Sequence, residues 1–161
     1  MFGTVLVSTA QGEWENAVAG DELSDGDRVR TGVDGKAKIV LEDGSCIILA
    51  EDSAFQLDEK AAFTLKDIVS GKFWIKVISY LMRPVRFITP GANGGVRGCE
   101  FTVEVTEDNS TTVTVLEGEV DVYDSTSGST VSLTANQQIT VPKVPGGLTQ
   151  EDMSSRVTVI D

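Results

Sequence analysis

Histidine is absent from the 161 residues, and cysteine and tryptophan occur only twice each. Without imidazole there is no Ser-His or Cys-His nucleophile system, no histidine-containing zinc site and no imidazole acid or base. Two cysteines make neither a four-cysteine metal site nor a disulfide framework. Basic residues are also scarce: 13 against 25 acidic ones, a formal charge of −12. That balance opposes nucleic acid or an anionic membrane as a partner, because phosphates are held by basic surfaces. Long apolar runs are lacking too. The stretch Cys46-Ile47-Ile48-Leu49-Ala50 is far short of the roughly 20 residues that cross a bilayer, so a soluble chain without direct membrane insertion is expected.

What is present is ordinary for a globular domain: 40% hydrophobic and 24% charged residues, enough for one core at this length. Alternation at every second residue dominates. Cys99, Phe101, Val103 and Val105 alternate with Glu100, Thr102, Glu104 and Thr106, the pattern of a strand with one face buried. Ala37 with Ile39, Phe73 with Ile75 and Val77, Val113 with Val115, Val120 with Val122, Val131 with Leu133, Ile139 with Val141 and Val157 with Val159 extend it. Asp25-Gly26, Asp34-Gly35 and Asp43-Gly44 recur every nine residues and read as tight, hairpin-type turns. Ser79 to Pro84 and the glycine-rich Thr89 to Gly95 read as loops. An all-β fold follows: a compact β-solenoid-like roll or sandwich of short strands with Asp-Gly turns. Residues 1–141 form the body. Residues 142–161 open on a Pro/Gly linker, carry one helical turn at Gln150-Glu151-Asp152, and end in a strand-like tail.

The N-terminus runs directly into alternating sequence, with neither a basic n-region nor an apolar h-region. A leader removed ahead of Met1 would make the domain periplasmic or extracellular; otherwise it is expected in the cytoplasm.

Ordered along the chain stand Gly20-Asp21-Glu22-Leu23, Gly26-Asp27-Arg28-Val29-Arg30-Thr31-Gly32, Gly35-Lys36-Ala37, Asp43-Gly44-Ser45, Thr89-Pro90-Gly91, Val96-Arg97-Gly98-Cys99-Glu100-Phe101 and Leu116-Glu117-Gly118-Glu119-Val120. In this set the chain resembles the FecR-type domain from about Gly3 to Val141, departing from it at Cys99, where the family usually carries threonine. The resemblance implies a compact all-β unit in an extracytoplasmic regulator that relays a receptor signal to a sigma factor. It implies a non-enzymatic sensing or protein-interaction role, with a protein partner such as one of the envelope. An extended segment added to an open sheet edge is the expected mode. The alternative is a structural subunit of a homo-oligomeric or filamentous surface assembly, joined through the strand-like runs Gly3 to Val7 and Val157 to Asp161.

Candidate structural or recognition residues are Arg97, Gly98, Cys99, Glu100, Glu117 and Gly118. Arg97 reads as an anchor for a carboxylate, or as an internal ion pair with Glu117 or Asp27, the favoured reading. Cys46 and Cys99 read as small buried hydrophobes, or as a disulfide in a secreted protein. Carboxylates at Asp21, Glu22, Asp25 and Asp27, and at Glu104, Glu107 and Asp108, could hold calcium but lack EF-hand spacing; no cofactor is expected. Thr102, Thr106, Thr112 and Thr114 could form a flat recognition face, or be ordinary strand composition. Glu117 and Glu119 flank Gly118, and a turn or bulge suits them better than a catalytic pair.

Overall fold

The computed structural model describes residues 3–9, 12–40, 44–58, 63–77, 85–96 and 100–160. The strands are β1 (Val5–Ser8), β2 (Glu15–Asn16), β3 (Arg28–Thr31), β4 (Ala37–Val40), β5 (Cys46–Leu49), β6 (Ala54–Asp58), β7 (Phe63–Lys76), β8 (Val85–Ile88), β9 (Ala92–Val96), β10 (Glu100–Val105), β11 (Thr111–Glu117), β12 (Glu119–Asp124), β13 (Thr130–Thr134), β14 (Gln137–Val141) and β15 (Thr158–Val159), with one helix, α1 (Gln150–Ser155). They form one continuous sheet that curls over itself.

The curl follows from β7. Its first half pairs with β6 and β8, its second half with β5 and β10. Gly71, at φ +111°, lies between the halves. A Cβ there would sit 2.2 Å from Ser53 Oγ and 2.4 Å from Ser53 Cα, so only glycine fits both the space and the left-handed backbone. One arm runs β2-β1-β3-β6-β7-β8-β9-β12-β13, the other β4-β5-β7-β10-β11-β14-β15. The chain crosses between arms again at Gly118 (φ +87°), which joins β11 to β12, and at Asn136 (φ +66°), which joins β13 to β14.

The core lies between the arms. Phe87 on the first arm meets Phe101 on the second at 5.8 Å between ring centroids, and Phe55 meets Phe73 edge to face at 5.9 Å, geometries worth about 0.5–1.5 kcal/mol beyond the area they bury. Val103, Val113, Val115, Val120, Val122, Leu133 and Ile139 are fully buried around them. The alternation read from the sequence is therefore the inner face of these strands. It fails at β15, where Val159 is 75% exposed.

The all-β class holds, with differences in detail. The β7–β8 pair is parallel and every other pair among the described residues is antiparallel, which is a curled sheet rather than the stacked parallel coils of a solenoid. Two of the Asp-Gly pairs are not hairpin turns. The strands flanking Asp25-Gly26 (β2 and β3) and Asp34-Gly35 (β3 and β4) do not pair with each other. Gly44, at φ +89°, stands between the paired β4 and β5. The stretch Thr89 to Gly95 is not a loop throughout: β9 pairs with β8 and β12. Its glycines serve packing there, since a Cβ on Gly94 would lie 2.5 Å from the Phe87 ring and 2.7 Å from the Asp121 carbonyl. Ser79 to Pro84 lies outside the described residues.

Residues 142–160 pack on the body. Leu148 and Met153 enter the core, and β15 adds to β14 through Gln137 and Gln138. Thr149 caps α1 in a capping box with Asp152, satisfying N–H groups that the first turn leaves free.

Candidate recognition surfaces

Of the residues singled out from the sequence, Arg97, Gly98 and Cys99 lie outside the described residues. Glu100 and Glu117 are placed side by side. They are cross-strand partners at a bulge in the β10–β11 ladder, and Glu100 also faces Lys76 on β7. Cys46 continues that row on β5, half-buried and opposite Lys76. Glu119 belongs to the next strand, beyond the Gly118 corner, so Glu117 and Glu119 do not share one strand face.

The acid-rich turns bind their own backbone. Asp21 accepts the Val18 N–H at 2.8 Å and Asp27 the Ser24 N–H at 2.7 Å. Asp108 accepts the Thr106 hydroxyl at 2.5 Å and the Ser110 N–H at 3.1 Å, bonds that hold its carboxyl below the ordinary carboxylate range. Asp34 is lowered likewise by Thr4. No three metal-ligating side chains converge among the described residues.

Thr102, Thr112 and Thr114 do share the outer face of the second arm. Thr112 bonds Thr140 at 2.8 Å, Thr114 bonds Gln138 at 3.0 Å, and Thr102 sits between Trp74 and Thr114. Thr106 instead belongs to the Asp108 turn.

The sheet ends differ in what they leave open. β13 is covered by α1, whose Gln150 accepts from the Thr130 N–H and donates to the Thr130 carbonyl. β2 and β15 are two residues each. β4 offers four residues, Ala37–Val40, paired among the described residues with β5 alone. Its Val40 is 63% exposed, with Lys38 exposed beside it. An edge of this kind presents unpaired backbone donors and acceptors.

One cluster has no signal in the alternation. Trp14, ahead of β2, is flanked by two guanidinium groups, Arg30 at 4.3 Å and Arg28 at 4.9 Å from its ring centroid. Arg28 and Arg30, two apart in the sequence, had to fall on one strand face; that Trp14 joins them depends on β2 pairing with β1, at a separation no local pattern encodes.

The described residues thus make a curled all-β domain with an open edge at β4, basic and threonine-rich outer faces and no convergent metal-ligand cluster. The chain matches the family described as FecR protein over residues 27–121, and it belongs to that family, one of signalling regulators and not of enzymes. Two crystal structures of a candidate anti-sigma factor from Parabacteroides distasonis ATCC 8503 are similar in fold, each with a TM-score of 0.67, 20% identity and 83% of this chain covered. The chain spans 60% of the length of that protein. No curated protein matches it.

Proposed function

We propose that this domain is a non-enzymatic signalling module that acts outside the cytoplasm and takes an extended segment of a partner protein onto β4. The observation that carries the reading is the open edge at Ala37–Val40, with its exposed valine and lysine. Strand addition draws affinity from main-chain hydrogen bonds and specificity from alternate side chains. FecR membership supports a regulatory role reached through protein contacts.

The test takes two steps. Saturable binders are recovered from membrane and envelope extract. Hydrogen exchange is then followed on the complex with each purified binder. Protection of the Ala37–Val40 amides on binding is expected. A saturable binder that leaves those amides unprotected overturns the edge, and the lack of any saturable binder overturns the reading as a whole.

A further inference from the structure

The outer face of the first arm carries several cations, two of which form no ion pair among the described residues. Arg28 and Arg30 stand two apart on β3, so they share one face. Arg28 donates through Nη2 to Ser8 Oγ at 2.7 Å and to the Gly12 carbonyl at 3.2 Å. Its Nε is buried with no hydrogen-bond partner. Arg30 rests on the Trp14 ring. Neither meets a carboxylate among the described residues, in a chain that holds 25 of them. Like charges set side by side on a sheet repel. The indole offsets part of this, at about 0.5–1 kcal/mol per exposed cation. A guanidinium engaged through its face keeps N–H groups along its edge, the geometry that takes a carboxylate by two bonds.

The same face continues across the arm. Gln56 separates Arg28 from Lys66, and Arg86 on β8 lies opposite Gly95, which has no side chain to cover it. Ile88 and Tyr123, 44% and 38% exposed, both border Asn93. Three acids share the face: Asp58 pairs with Lys66 at 3.4 Å, Asp121 accepts the Ser132 hydroxyl at 2.6 Å, and Glu119 stands exposed at the start of β12, away from Arg28 and Arg30.

We propose that this face docks an acidic extended segment of a partner protein. Its carboxylates are taken by Arg28 and Arg30 beside Trp14 and by Arg86, and its apolar residues rest on Ile88 and Tyr123. From β3 to β12 is five strand spacings, about 24 Å, which about seven extended residues span. Charge complementarity selects this occupant. A membrane surface or nucleic acid would reach past a patch of this size onto the acidic remainder of the molecule and be repelled. The face belongs to the arm that does not contain β4, so the inference stands apart from the edge reading.

The experiment titrates a short blocked peptide alternating glutamate with valine into the Trp74→Phe protein, whose one remaining tryptophan is Trp14. The expected result is a saturable change in Trp14 emission, about tenfold weaker binding in Arg30→Gln and in Arg86→Gln, and unchanged binding in Lys72→Gln on the other arm. Circular dichroism of each variant establishes that it is folded. The proposal is overturned if no saturable change occurs, if Arg30→Gln binds as tightly as the parent, or if the glutamine-valine peptide binds equally. A stronger response to phosphatidylglycerol vesicles than to the peptide also overturns it, in favour of a lipid surface.

Discussion

Replacing Asp124 tests how the C-terminal segment is held. Asp124 ends β12 and is only 3% exposed. Its Oδ1 accepts the N–H groups of Thr126 at 2.8 Å and Ser127 at 3.0 Å, and its Oδ2 accepts that of Leu148 at 2.8 Å. Burial pushes this carboxyl up, but the Leu148, Ser127 and Thr126 bonds outweigh it and hold it below its ordinary value. In Asp124→Ala all three donors lose their acceptor. The Leu148 N–H is buried and cannot turn to water, a loss of about 1–3 kcal/mol, and the two half-buried donors add less. About 3 kcal/mol in total is expected at neutral pH. Asp124→Asn keeps one acceptor oxygen but sets an amide against the Leu148 N–H, and about half that loss is expected. The pH dependence has a fixed sign. The folded carboxyl titrates below the unfolded one, near 3.9, so its stabilisation is complete above that value and is lost as the pH falls through the lower folded value. Urea unfolding of parent and variant at neutral and acidic pH should therefore show a gap that narrows only below about pH 4. Hydrogen exchange should quicken first at Leu148 to Met153, the residues that the carboxylate ties to the core. A loss under about 1 kcal/mol, or a gap that stays constant down to about pH 2, would refute the reasoning.

Gly71→Ala should cost about 3 kcal/mol or more in urea unfolding, since its Cβ would meet Ser53 Oγ at 2.2 Å on a backbone already unfavourable to side chains. Gly128→Ala, at φ +76° with open space around it, is the control and should cost about 1–2 kcal/mol. Phe101→Ala removes a fully buried ring that joins the two arms through Phe87, and a loss of about 3–5 kcal/mol is expected. Raising salt from about 0.05 to about 0.5 M should weaken acidic-peptide binding several-fold, because screening shortens the reach of exposed charges; equal affinity at both would remove the arginines from the account. Calcium is expected to leave the melting temperature unchanged, since Asp21, Asp27 and Asp108 already accept hydrogen bonds within their own turns; a rise of more than about 2 °C would contradict this.

The strands were legible wherever one face is dry along a whole element. Phe101 with Val103 and Val105, Val113 with Val115 and Val120 with Val122 alternate because their inner positions meet the other arm. The curl was not legible. Along β7 the buried positions run Leu65, Ile68, Phe73 and Ile75, so the parity changes twice, once between Leu65 and Ile68 and again between Ile68 and Phe73, the interval that holds Gly71. A register shift against β6 accompanies it. Period-two reading assumes one parity per strand, and β7 breaks that assumption at the bend that makes the two arms. Glycine was misread for a related reason. Within Thr89 to Gly95 it looked like loop composition, whereas Gly94 is small because the Phe87 ring occupies the place of its side chain. A glycine kept for close packing and a glycine kept for a turn look identical in one sequence.

Charge shows the same limit. The sum of −12 is a property of the whole chain, and its sign argues against extended polyanions as partners. It says nothing about how the 13 cations are distributed, and the fold gathers four of them. Arg28, Arg30, Lys66 and Arg86 come from three strands that the chain reaches at widely separated points, and the pairing of β3 with β6, β6 with β7 and β7 with β8 brings them onto one outer face. Trp14 joins them only because β2 lies against β1. An acidic protein can therefore present a basic recognition surface, small enough to prefer a single acidic segment and bordered by charge that turns larger polyanions away. That selectivity comes from the local cluster and the opposing surroundings together, and neither could be read from composition.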